Sequence, residues 1–170
     1  MINFFNEVLF SNDECDKILS FANGFVDLEN YGFKLAIPEK RNSKYSEVVN
    51  IEDLEKLILP KLKEIGILSI KSGSMFIEYN EGDFFEKHID NSYKSNRVCT
   101  VVIQLSNEDD YEGGDLIVEG IRCSRKRGTM IVFSGNDLHE VEKITKGTRR
   151  VFVCMPTKSD IKIKNSIIWN

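Results

Sequence analysis

The spacing of hydrophobic and polar positions changes character partway along the chain. Ser11 and Glu14 stand three apart, Cys15, Ile18, Leu19 and Ala22 follow at helical spacing, and Gly24 ends the pattern. A hydroxyl cap, a reciprocal acid and a glycine stop predict a first helix over roughly residues 12 to 22. A second helical pattern runs through Ile51, Leu54, Ile58, Leu62 and Ile65, with Asn50 placed to cap it and acidic residues in its first turn. Pro60 should kink or split that helix, because it removes a donor and crowds the preceding turn. Residues 31 to 50 are polar, contain Pro38 and hold neither period. They read as a loop region or lid with room for short strands.

From Ser74 onward the texture becomes short β-branched and aromatic runs punctuated by Gly, Asn and Asp: SMFIEY, RVCTVVIQL, DLIVEG, TMIVFSG, RRVFVCM and IKIKNSII. Several short strands with no helical pattern between them predict a mainly β fold with flanking helices, of the α+β class. The arrangement expected is a β-sandwich or barrel with the helices packed on one outer face. One domain over 1–170 is expected, with a helical N-terminal part, 1–70, and a β core, 71–160. No internal repeat or low-complexity linker interrupts it.

Composition narrows the class further. Hydrophobic residues make up 41% and charged residues 29% of 170, as in an ordinary globular protein. A net charge of −4 and a pI near 5.3 argue against a general nucleic-acid binder. No basic leader with an apolar core opens the sequence, and no apolar run approaches the ~20 residues that span a bilayer; no membrane partner is expected. Cys15, Cys99, Cys123 and Cys154 are scattered without a C-x-x-C pair, three of them in apolar stretches. That usage fits a reducing, cytoplasmic setting.

The chain has only two histidines. His88 and Asp90 are two apart in FEKHIDN, and on an extended chain i and i+2 project from one face, so an imidazole and a carboxylate can converge on one ion. His139 follows the run TMIVF, 49 residues beyond Asp90. Two histidines and one carboxylate on one face of an octahedral ion leave positions open for a chelating acid and dioxygen, which suits ferrous iron better than zinc. An isolated H-x-D pair is more often a surface ion pair, so the motif alone decides little. Arg149 shifts the balance. It stands ten residues after His139 at the head of an apolar strand, and a buried arginine needs an anionic partner such as the distal carboxylate of 2-oxoglutarate. Neighbours on a strand face opposite ways, so only one of Arg149 and Arg150 can point inward; the competing reading is a solvated sheet edge.

Taken in order, Tyr79-Asn-Glu-Gly82 through His88-Ile-Asp90-Asn91, Gly113-Gly114-Asp-Leu116, Gly128-Thr-Met-Ile-Val-Phe133, His139-Glu-Val and Gly147-Thr-Arg149 resemble the prolyl 4-hydroxylase branch of the 2-oxoglutarate and iron(II) dioxygenases. The match covers residues 75 to 155. Ser11 to Leu19 and Arg41-Asn-Ser43 are more loosely similar to that family's opening helix and a region near its substrate lid. The resemblance implies a double-stranded β-helix, the jelly roll or cupin-like fold. It implies His88, Asp90 and His139 as iron ligands, Arg149 as the 2-oxoglutarate anchor, Tyr79 near the co-substrate, and Thr100, Val102 and Gln104 on a strand lining the pocket. Tyr79 reads equally well as a core tyrosine, and Gly113 and Gly114 as a turn.

With the fold comes an expected activity: hydroxylation of an unactivated C–H bond, foremost of a prolyl residue in a peptide or protein, using Fe(II), 2-oxoglutarate and O2, with ascorbate as a reductant. A free amino acid or another small molecule is the alternative substrate, and a non-catalytic metal-binding jelly-roll module the non-enzyme alternative. Asp90 is a carboxylate where a halide-binding site would have a small residue. Met155 stands six residues beyond Arg149, where related nucleic-acid demethylases would show a second arginine, which disfavours base repair. Arg122, Arg125, Lys126 and Arg127 read as a solvated hairpin tip in preference to a grip for an acidic partner.

Overall fold

The alternating runs of the second half build two facing sheets. A computed structural model of the chain describes residues 4–27, 40–91 and 96–162. Among these the strands are, in chain order, β1 (Phe5–Val8), β2 (Val26–Asp27), β3 (Arg41–Asn42), β4 (Lys44–Ser46), β5 (Met75–Tyr79), β6 (Phe84–His88), β7 (Cys99–Gln104), β8 (Tyr111–Gly113), β9 (Leu116–Val118), β10 (Ile121–Arg122), β11 (Thr129–Ser134), β12 (His139–Val141), β13 (Ile144–Gly147) and β14 (Arg149–Cys154). The helices are α1 (Asn12–Leu19) and α2 (Ile51–Leu62).

The larger sheet has the order β1-β11-β7-β14-β5-β4-β2 and the smaller β10-β9-β12-β6-β3, while β8 and β13 form a separate pair. From β5 to β7 and again from β10 to β14 the chain passes back and forth between the two sheets. That winding is a double-stranded β-helix, a jelly roll. Both helices cover the outer face of the larger sheet: Cys15 and Ile18 of α1 and Leu54, Ile58 and Leu62 of α2 pack with Phe76, Val101, Ile103, Val132 and Phe152. Because side chains alternate across a strand, the intervening residues Ile77, Val102, Ile131, Val151 and Val153 turn to the interior, where Leu116, Val118 and Val141 of the smaller sheet meet them.

Several expectations need correction. The first helix ends at Leu19 with Ser20 as its C-cap, and Ala22 leaves the helical pattern to bridge to Val48. An isolated bridge to Val48 wins over the weak helical signal of one alanine. Pro60 does not split α2, which runs unbroken to Leu62. The proline sits in the last turn, where the helix already gives way to a 3-10 turn over Lys63–Ile65 and stops at Gly66, so few bonds are at stake. The N-terminal part is not only helical either, since β1 pairs with β11 at the edge of the larger sheet. Strands β6, β12 and β13 were not read from the sequence; β6 has no buried residue, and β12 and β13 are short. Residues 31–39 of the expected lid, including Pro38, and all but the first two residues of IKIKNSII lie outside the described residues.

The basic cluster is solvated only in part: Arg122 and Lys126 are exposed, while Arg125 and Arg127 are half-buried. Arg122 pairs with Asp115 and with Glu142, Arg125 lies over the Tyr111 ring at 4.3 Å, and Arg127 Nε donates to the Leu105 carbonyl at 2.8 Å. Asp115, buried just before β9, pairs with the exposed Arg122 and with the half-buried Arg125. Beside it, Gly113 and Gly114 both have positive φ, and a Cβ on Gly114 would lie 2.0 Å from Ile144 Cδ1. The two glycines therefore serve the turn and the close approach of β13.

Candidate active site

Two strands of the smaller sheet bring the histidines together. His88 ends β6, His139 begins β12, and the two are register partners with ring centroids 4.1 Å apart. Asp90 lies just past the end of β6. The segment holding it is fastened to the β11–β12 turn, because Asn91 N donates to the Gly135 carbonyl at 2.7 Å and Gly135 N to the Val98 carbonyl at 3.0 Å. That turn is closed by the Asp137 carboxylate, which accepts from Ser134 N at 2.9 Å.

Each ring is oriented from behind by its own backbone. His88 Nδ1 lies 2.7 Å from the Glu86 carbonyl and His139 Nδ1 2.9 Å from the Asp137 carbonyl. A carbonyl only accepts, so both Nδ1 atoms carry the proton and both Nε2 lone pairs are free. Those Nε2 atoms face Asp90, at 3.7 Å from Oδ1 for His88 and 3.4 Å from Oδ2 for His139. One donor atom from each of the three residues lies within 4.8 Å of the other two.

The electrostatics match a cation site. Burial, with His139 beside it, pushes His88 down to about 4. Burial alone would raise Asp90, but the adjacent His139 and the hydroxyl donated by Thr100 outweigh it and bring the carboxyl down to about 2. At neutral pH the set is thus a neutral imidazole and an ionised carboxylate, the forms that ligate a metal. Phe85 stacks on His88 at 3.6 Å between centroids and shields that ring from water.

Deeper in the same cavity, of about 270 Å³, stands Arg149, which is 1% exposed. Its Nε donates to Gln104 Oε1 at 3.2 Å, its guanidinium carbon lies 5.5 Å from the centre of the Tyr79 ring, and its Nη1 is buried with no hydrogen-bond partner. An orphaned guanidinium nitrogen on a residue that lines the cavity is what a carboxylate-bearing co-substrate would satisfy. Arg150 turns to the other face of the sheet and pairs with Glu78 at 2.8 Å.

The remaining residues singled out in the sequence divide by parity and depth. Tyr79, Thr100 and Val102 line the cavity. Thr100 Oγ1 donates to Asp90 Oδ2, so its hydroxyl is engaged with a candidate ligand. Gln104 does not line the cavity, contrary to expectation. It stands behind Arg149, and its amide also donates to the Ser124 carbonyl at 3.3 Å. The Met155 thioether is on the wall. Arg97, Tyr45 and Phe85 also line the cavity and were not picked out beforehand. For Arg97 the available signal was a cation directly before the apolar run of β7; for the two aromatics none was local, because they reach the cavity from separate strands.

Comparison with known proteins agrees with this geometry. The family model of the 2OG-Fe(II) oxygenase superfamily matches residues 74–155. The chain is 35% identical over 106 residues to a PKHD-type hydroxylase of Prochlorococcus marinus, which covers 56% of this chain and 48% of that protein. To a PKHD-type hydroxylase from another strain it is 29% identical over 169 residues, 89% of this chain and 76% of the relative. The chain thus spans about half the length of the first relative, at 48%. A viral collagen prolyl hydroxylase from Paramecium Bursaria Chlorella virus-1, solved as a 2OG complex, superposes with a TM-score of 0.63 at 18% identity, covering 90% of this chain and 93% of that one. A Trichoplax adhaerens prolyl hydroxylase, solved with a hypoxia inducible factor peptide fragment, gives 0.66 at 17% identity over 93% of this chain and 84% of that one. At such identities the likeness speaks for the jelly-roll fold. Among the described residues no helix is long and apolar enough to cross a membrane.

Proposed function

We propose that this chain, which belongs to the 2OG-Fe(II) oxygenase superfamily, is a 2-oxoglutarate-dependent hydroxylase whose metal is held by His88, Asp90 and His139. The observation that carries the reading is the orphaned Nη1 of Arg149 in the cavity that the three candidate ligands also line. When bound, ferrous iron would supply the oxidising chemistry: a C–H bond, 2-oxoglutarate and O2 become C–OH, succinate and CO2.

The protein's own share is positional. The Nε2 atoms of His88 and His139 and the Asp90 carboxylate would hold the ion from the side on which the three converge. Gln104 fixes the guanidinium through Nε, and the rest of the fork would meet the distal carboxylate of the co-acid. The apolar wall of Ile77, Val102, Val151 and Val153 excludes water and leaves the acid few ways to lie.

The substrate in this reading is a prolyl residue of a peptide or protein, the substrate class that the names of the structural neighbours carry. A free amino acid or other small molecule is the second reading, favoured by the cationic lining considered below. Anaerobic titration with ferrous ion and 2-oxoglutarate should raise the visible charge-transfer band of the chelate, and oxygen with a proline-containing peptide should yield succinate. A protein that shows no band and forms no succinate is the non-catalytic module instead, and the proposal is then wrong.

A further inference from the structure

The candidate ligands and Arg149 account for only part of the charge on the cavity wall. Among the described residues lining it are three guanidiniums, of Arg41, Arg97 and Arg149, and one carboxylate, of Asp90. Arg97 is engaged at Asp90: its Nη1 donates to the Asp90 carbonyl at 3.3 Å and lies 4.0 Å from Oδ1. Arg149 is spoken for by the co-acid. A divalent ion would add positive charge, and dianionic 2-oxoglutarate would offset no more than that. Arg41 and Arg97 would then face one Asp90 carboxylate, together with Arg149.

Arg41 comes from the edge strand β3 and sits over two rings, 4.1 Å from the centre of Phe85 and 4.7 Å from that of Tyr45. Phe85 is the ring stacked on His88 at 3.6 Å, so the guanidinium is one aromatic layer away from a candidate metal ligand. Its Nε is buried with no hydrogen-bond partner. The aromatic pair offsets part of the cost of holding a cation there and fixes its plane. Another N–H of the group bonds to the Tyr79 side chain, and the fork geometry of those that remain matches a carboxylate.

We propose that Arg41 binds a carboxylate of the substrate, so that the molecule hydroxylated carries an acidic group close to the C–H bond presented to the metal. The inference rests on the hydroxylase reading and names its substrate class. That carboxylate belongs either to a free amino or imino acid, or to a peptide through an acidic side chain or a chain terminus next to the target residue.

Matched probes separate these sources: L-proline against L-prolinamide, a short peptide with Asp beside Pro against its Asn counterpart, and a peptide ending in Pro against its C-terminal amide. Protein loaded anaerobically with ferrous ion and 2-oxoglutarate is titrated with each, and binding is read from the perturbation of the chelate band. Succinate is then measured after oxygen is admitted. In at least one pair the acid should bind about tenfold to a hundredfold more tightly than the amide, the range of a hydrogen bond to a charged group. The pair that discriminates identifies the source. Arg41→Gln should abolish the difference while the chelate band still forms with wild-type 2-oxoglutarate affinity. No preference in any pair, or an Arg41→Gln variant that weakens acid and amide alike, overturns the proposal. Absence of the band in the wild type marks failure of the hydroxylase reading instead. Should Arg41→Gln not fold, the wild-type acid and amide pairs still decide, and Arg41→Lys should retain part of the preference.

Discussion

The two faces of the larger sheet are built from alternate residues of the same strands and have opposite chemistry. On β7, Cys99, Val101 and Ile103 face the helices, whereas Thr100, Val102 and Gln104 face inward. On β14, Phe152 and Cys154 face the helices while Arg149, Val151 and Val153 face the cavity. The helix face is sealed by α1 and α2 over an apolar centre, with the Arg150–Glu78 pair beside it. The cavity face accepts a buried threonine, glutamine and arginine, groups that cost stability unless something satisfies them. One face therefore holds the fold together, and the other spends part of that stability on a preformed site. Substitutions on the two faces should separate stability from ligand affinity.

The largest effect is expected on the helix face. Phe152 is fully buried, edge-on to Phe76 with centroids 5.4 Å apart. Phe152→Ala should cost about 3–5 kcal/mol of folding stability, from lost burial and the cavity left behind, measured by denaturant unfolding of the metal-free protein. A loss below about 1 kcal/mol would mean that the helices do not seal this face.

Arg149 is the counterpart three positions earlier along the same strand. Arg149→Met should lower 2-oxoglutarate affinity by about a hundredfold, in line with removal of one partner from a desolvated charge pair. It should leave the metal-free protein as stable or more stable by about 1 kcal/mol, because an incompletely satisfied buried charge is replaced by a flexible apolar side chain. Arg150→Ala, on the outer face, should change 2-oxoglutarate affinity less than about twofold by the same contrast. Titration of the chelate band measures all three proteins, and equal losses for the two arginines would break the assignment of the faces.

The sequence conveyed the helix face better than the cavity face. Apolar residues at every second position of RVCTVVIQL and RRVFVCM, and at helical spacing from Leu54 to Leu62, are local patterns, so the sheet and its covering helices were readable. His88, Asp90 and His139 could be named because only two histidines exist and one stands two residues from a carboxylate. Their convergence depends on β6 and β12 pairing in one register, and neither strand has the apolar alternation that announces a strand. Gln104 shows the limit of parity: it faces the interior as its position requires, yet Arg149 stands between it and the cavity. Arg41 was placed near a lid only through the family resemblance, since its environment is assembled from Tyr45 and Phe85 on two different sheets.

Thr100 tests the cavity face at a smaller scale. Its hydroxyl donates to Asp90 Oδ2, which fixes the carboxylate plane relative to the two imidazoles. Thr100→Val keeps the shape and removes the donor, and should weaken ferrous or manganous binding by about tenfold, the low end for loss of a partner that orients a ligand. Thr100→Ser should restore it. Calorimetric titration of the metal alone reads this without turnover, and an unchanged affinity in Thr100→Val would show that the hydroxyl orients nothing.

The smallest expected effect lies on the far side of the helix layer. Ser11 Oγ accepts from Glu14 N at 3.2 Å and Glu14 Oε2 accepts from Ser11 N at 2.8 Å, closing the capping box of α1. The Glu14 carboxylate also holds Lys61 of α2 at 2.6 Å, so Ser11→Ala removes the hydroxyl and leaves the carboxylate tied to both the backbone and the second helix. The loss should therefore be about 1 kcal/mol, that of one N-cap bond, and Ser11→Gly should lose less. If the two faces are energetically separate, metal and 2-oxoglutarate affinities in Ser11→Ala will match the wild type while its unfolding midpoint falls. A parallel loss of ligand affinity would mean that α1 tunes the cavity through the sheet, and the separation of the faces would then be wrong.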